Sequence, residues 1–80
     1  MKTQILAINF KHYQSEARKA WNVFEKKNTN KAYKEAKMFE QRSQEAFDEL
    51  VEIIIEATNK GKEEVVEMLL NGGIEKIINK

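Results

Sequence analysis

His12 is the only imidazole in the chain, and Glu16, one helical turn further on, stands where a carboxylate would orient it as a general base. That chemistry also needs a nucleophile and a glycine turn to hold an oxyanion, and neither occurs near residue 12. His12 is therefore read as a solvated polar residue. A second constellation is acidic: Glu45, Asp48, Glu49, Glu52 and Glu56 recur every three or four residues. A helix would set these carboxylates on one face, where they could share a hard cation. Di-iron bundles use Glu-x-x-His pairs, however, and no such spacing exists in this chain. The run is read as a solvated face, and no metal or other cofactor is expected. There is no phosphate-binding glycine loop, no Cys/His cluster and no catalytic triad pattern. The expectation is a protein that is not an enzyme and takes no small-molecule substrate.

Two further groups point to binding. Lys26, Lys27, Lys31, Lys34 and Lys37 cluster within twelve positions, with Tyr33 among them and Trp21 close by. Cations beside stackable rings can hold phosphate backbone or single-stranded nucleic acid. Glu25 and Glu35 dilute the cluster, arginine is scarce, and nothing resembles a recognition helix-turn-helix. Solubility, or docking to an acidic protein partner, is the preferred reading of these lysines, and nucleic-acid binding is the alternative. The second group is Trp21, Phe24 and Tyr33 with Val23 and Met38. Rigid aromatics on an uncovered apolar stripe are the usual anchors of a protein interface.

The elements that must position these residues follow from apolar spacing. Leu6, Phe10, Tyr13, Ala17, Ala20 and Phe24 recur at four-three intervals, as do Ala32, Ala36, Phe39, Ser43, Ala46, Leu50, Ile53 and Ala57. A period near 3.5 marks helices packed along a coiled-coil seam. The chain has no proline, and its three glycines all follow residue 60, so long helices are expected over about 3–27 and 31–58. A turn at Asn28–Asn30, with Thr29 or Asn30 as N-cap, forces the two helices antiparallel. Facing pairs then run from Leu6 with Leu50 to Phe24 with Ala32, a large residue meeting a small one at most levels. Lys2 is expected near Glu56, Glu16 near Arg42, and Tyr13 within hydrogen-bonding reach of Ser43. The opposite flank brings Ala7 near Phe47 and Trp21 near Tyr33, and Ile8, Val51, Ile54 and Ile55 extend its apolar surface.

Cover for that surface is expected from two short helices, about 62–71 and 74–79. Lys60-Gly61 ends the second long helix, and Asn71-Gly72-Gly73 separates the short ones. At 1.5 Å per residue, the first short helix reaches roughly the level of Phe47 and leaves Trp21 and Tyr33 beyond it. The segment from Gly61 to Gly73 resembles the second helix and exit of an ankyrin repeat. Glu52-Ile53-Ile54-Ile55 stands where such a repeat carries Thr-Pro-Leu-His, and there is no second copy to stack on. The likeness is read as shared helix-and-glycine-cap physics.

The fold class expected is all-α: one domain over 1–80, a long coiled-coil-like hairpin with two short helices packed on its open end. As a dimer it would complete a four-helix bundle. Eighty residues lie near the lower limit for a self-sufficient core, which makes dimerisation a common remedy. The absence of cysteine makes the cytoplasm the default compartment, and no run approaches the roughly 20 apolar residues of a membrane span. Net charge is +1, yet residues 1–40 hold nine Lys or Arg against four Glu, and residues 41–80 hold five against nine acidic residues. The function expected is a small interaction or regulatory module whose partner is another protein or a second copy of itself, with nucleic acid as the alternative and no membrane partner.

Overall fold

The structure, a computed structural model, describes residues 2–79; the outermost positions of the expected 1–80 domain lie outside it. Helix α1 spans Lys2–Lys27 and α2 spans Asn30–Thr58, packed against each other along their length as an antiparallel hairpin. Short helices α3 (Lys62–Met68) and α4 (Ile74–Ile78) are joined by a kink over Leu69–Gly73, where Asn71 (φ −94°, ψ 35°) and Gly72 (φ 99°, ψ 0°) leave helical geometry. They lie against the open end, α3 on α2 and α4 on α1. Among the described residues there is no strand, and no helix is long and apolar enough to cross a membrane.

The hairpin turn is two residues long because Asn28 takes a left-handed conformation (φ 51°), which asparagine tolerates better than most residues. Its amide donates to Phe24 O at 2.7 Å, which closes α1. Thr29, in extended geometry, accepts from the Ala32 amide at 3.2 Å and so caps α2. At the far end of α2 the left-handed residue is Asn59 (φ 62°), whose amide donates to Ile55 O. Gly61, the expected terminator, is extended at φ −69° and begins α3 instead. Asparagine has done the work assigned to glycine because its short side chain lowers the cost of that conformation.

The core is concentrated at the open end. Leu6, Ala7 and Phe10 of α1 meet Ala46, Phe47, Leu50, Val51 and Ile54 of α2, and Val65, Leu69 and Ile74 close the layer from above. Phe10 and Phe47 stack at 5.1 Å in a tilted arrangement. Each such side chain contributes roughly 1.5–3 kcal/mol when fully buried. Toward the turn the seam narrows to alanines: Ala32 and Ala36 are buried, whereas Ala20, Trp21 and Phe24 are only half-buried. Ile8, expected to extend the apolar surface, points away from the core and is 47% exposed.

Polar contacts differ from the expected ones. Lys2 pairs with Glu49 at 3.3 Å, not with Glu56, and Glu16 pairs with Lys19 on its own helix at 3.7 Å. Arg42 lies over the Tyr13 ring, 5.9 Å from its centroid, and Tyr13 makes no hydrogen bond to Ser43. Helix α4 is tied down twice: Gln4 donates to Ile78 O at 3.0 Å, and Lys11 Nζ lies 2.7 Å from Glu75.

That last contact has a pH signature. Hydrogen bonding from Lys11, assisted by a backbone hydrogen bond, holds the Glu75 carboxyl below the usual glutamate value of 4.5. A carboxyl whose pKa is lower folded than unfolded stabilises the fold fully above its unfolded value, and the benefit fades as pH falls through the folded value. NMR titration of the side-chain carboxyls is expected to show a depressed Glu75 midpoint that returns to the ordinary range in Lys11→Met. An unshifted midpoint in the wild type would mean that the pair does not persist in solution.

Candidate protein-interaction flank

The two long sides of the hairpin are different surfaces. On one, Leu6, Asn9 and Tyr13 face Met38, Arg42 and Glu45 across a polar groove. On the other, Phe10, Ala17 and Trp21 face Ser43, Phe47 and Leu70 across a groove of about 490 Å³ with a largely apolar lining.

Trp21 sits at the turn-ward end of the second groove. Its ring meets Phe24 edge-on at 5.7 Å and Tyr33 edge-on at 5.8 Å, and Phe24 and Tyr33 close the triangle at 5.6 Å. Edge-to-face packing of this kind adds about 0.5–1.5 kcal/mol per pair beyond buried area. The indole Nε1 donates to Glu40 Oε2 at 3.1 Å, so α2 fixes the orientation of a ring that α1 carries. The result is a rigid aromatic platform whose outer faces remain wet: Tyr33 is 43% exposed. The C-terminal segment meets the groove through Leu70, in the Leu69–Gly73 connection, at the end away from Trp21.

Of the five residues expected to form an interface, three come together. Trp21, Phe24 and Tyr33 form the platform, whereas Val23 and Met38 are exposed elsewhere. Met38 lines the opposite groove with Tyr13, and Val23 follows Trp21 by two residues, a rotation of about 200° round the helix. Lys26, Lys27, Lys31, Lys34 and Lys37 are all exposed around the turn. Lys37 is the one engaged with the platform, its Nζ 6.0 Å from the Tyr33 ring centroid.

Three participants were not evident from the sequence. Glu40 and Arg18 line this groove, and nothing in their spacing sets them apart from other surface charges. Leu70 looked like core, yet it is 68% exposed while its neighbour Leu69 is 1% exposed. Adjacent residues on a helix diverge by about 100°, so only one of the pair can face inward. The Met68-Leu69-Leu70 run carries an excess of apolar surface that was available as a signal.

The acidic run of α2 gathers no site: Glu45, Asp48, Glu49, Glu52 and Glu56 are exposed, and no cluster of metal-ligating side chains exists among the described residues. His12 is exposed and lies beside Tyr13, ring centroids 5.4 Å apart.

Fold and flank together define an all-α helical hairpin, capped at its open end by two short helices and left uncovered near its turn. Compared with known protein families, with characterised proteins and with solved structures, the chain matches none of them.

Proposed function

We propose that this protein is a small, non-enzymatic interaction module of regulatory type, working in the cytoplasm and binding a protein partner through the Trp21–Phe24–Tyr33 platform and its adjoining groove. The observation that carries this reading is the platform's construction. Three aromatic rings are locked against one another and against Glu40, yet left half-wet. Preorganised aromatics lose little conformational freedom on binding, which is why they dominate interface energetics.

The test is capture from the native cell with the wild-type chain and with Trp21→Ala/Tyr33→Ala, both verified as folded by circular dichroism. Bound protein is expected with the former and absent with the latter. Equal capture by both would remove the platform from the reading.

A second reading has its own observation: Tyr33 is exposed with Lys37 beside its ring, at a tip carrying four more lysines. That arrangement suits stacking of a base on the ring with phosphate on the lysines. It predicts salt-sensitive retention on single-stranded DNA, lost when Lys26, Lys27, Lys31 and Lys34 become Glu. Flow-through at low salt would dismiss it.

A further inference from the structure

The hairpin's charge is sorted along its length. Around the turn, positions 14–44 carry eight Lys or Arg against four Glu, while the open end, positions 2–13 and 45–79, carries five against nine acidic residues. The apolar track on the platform side spans both halves. Leu70 lines the groove it shares with Trp21 and also a second groove on α3, with Val66, Glu63 and Glu67. The track's aromatic end carries Arg18, Lys37 and Glu40, and its aliphatic end Lys62, Glu63 and Glu67, so the net charge is positive at the first and negative at the second.

Resting on the interaction reading above, we infer that the occupant of this flank is a second copy of the same chain, docked antiparallel so that the tip of each hairpin covers the open end of the other. A twofold axis through the middle of the Trp21–Leu70 groove is the operation that does this. Each copy then places Trp21 against Leu70 of its partner copy, and the same contact recurs on the far side of the axis.

The register supports it. Glu40 marks the level of Trp21 through their hydrogen bond, and Lys37 lies three residues, about 4.5 Å, turn-ward of it. Glu67 lies three residues, about 4.5 Å, beyond Leu70 in the other direction. Lys37 and Glu67 are thus nearly equidistant from the axis, and the twofold sets cation opposite carboxylate. A parallel arrangement would set like charge on like at both ends, which costs affinity and suppresses that alternative.

Because the chain has no cysteine, single thiols report the geometry without background. Lys37→Cys and Glu67→Cys chains, one of them carrying an affinity tag, are mixed and oxidised, while light scattering during gel filtration gives the mass of the wild type. A dimer mass and rapid mixed disulfide, with each variant alone slow to cross-link, is the expected result. Trp21→Ala is expected to weaken the dimer about 30-fold or more, as loss of a central aromatic anchor does. Lys37→Cys linking to itself as fast as to Glu67→Cys would overturn the antiparallel arrangement. A monomer at every concentration up to the solubility limit would overturn the second copy as occupant. If that monomer still captured a cellular protein in a Trp21-dependent way, the interaction reading would stand without this inference; if capture were indifferent to Trp21, both would fall.

Discussion

Leu50→Ala is expected to lower the unfolding free energy by about 3 kcal/mol, within the roughly 2–5 kcal/mol typical of deleting a fully buried leucine. Leu50 is wholly buried, in the layer where α1, α2 and the C-terminal helices converge. The loss has two parts, the transfer energy of the deleted carbons and the cavity left among neighbours that relax only partly. Its importance lies in proportion: a domain of this length has roughly 4–12 kcal/mol in total at 0.05–0.15 kcal/mol per residue. Urea unfolding followed by circular dichroism checks it, with the midpoint falling sharply and the slope unchanged. Ile8→Ala is the matched control, because Ile8 projects outward and is 47% exposed, so its midpoint is expected to move little. Equal effects at the two positions would mean that the layer around Leu50 is not packed as described.

The second large effect is at Gly73, where intrinsic propensity and tertiary geometry disagree in sign. Residue 73 has helical dihedrals, φ −63° and ψ −34°, and there alanine is ordinarily better than glycine by up to about 1 kcal/mol. A Cβ at this position would stand 2.6 Å from Met68 O and 3.1 Å from Met68 C. Both are backbone atoms, which no side-chain rotation can move aside. Gly73→Ala is therefore expected to destabilise, by roughly 1–3 kcal/mol as overpacked sites do. For a chain of this size each kcal/mol lowers Tm by about 4–8 °C. Neighbouring Gly72 differs in kind: its φ of 99° needs glycine, but a Cβ there would meet nothing within 4 Å. Gly72→Asn is thus expected to be milder than Gly73→Ala. A neutral or stabilising Gly73→Ala would show that the kink between α3 and α4 can open to admit a methyl group.

How far the fold was legible depends on the physical range of each signal. The hairpin was readable because apolar periodicity integrates over many residues, and the packing of Phe10, Ala46, Leu50 and Ala36 is the sum of that pattern. The end of α2 at residue 58 is as expected, but the residue that stops it is left-handed Asn59 and not Gly61 two positions on, and its start lies one residue earlier than expected because Thr29, not Asn30, is the N-cap. The partner of Lys2 was missed because exposed ion pairs are weak and several rotamers reach several carboxylates. At the candidate interface, the Trp21–Tyr33 proximity was legible from helix register, since both lie beside the seam. The membership of Val23 and Met38 was not, because an apolar residue outside the stripe carries no mark of which side it serves. Leu70 needed knowledge of which of two adjacent leucines faces inward, and that is decided by how α3 docks on α2.

The uneven burial of the seam also bears on how the chain assembles. Phe24 and Ala32 flank a two-residue turn and meet at small entropic cost, yet Phe24 is only half-buried. Leu6 and Leu50 must close a loop of more than forty residues, and Ile74 a longer one, before the best-packed layer exists. Closure is cheap where the reward is small and costlier where it is large. Zipping from the turn alone therefore gains little until the far ends meet and bring Leu6, Leu50, Val65 and Ile74, one from each of the four helices, into a single layer.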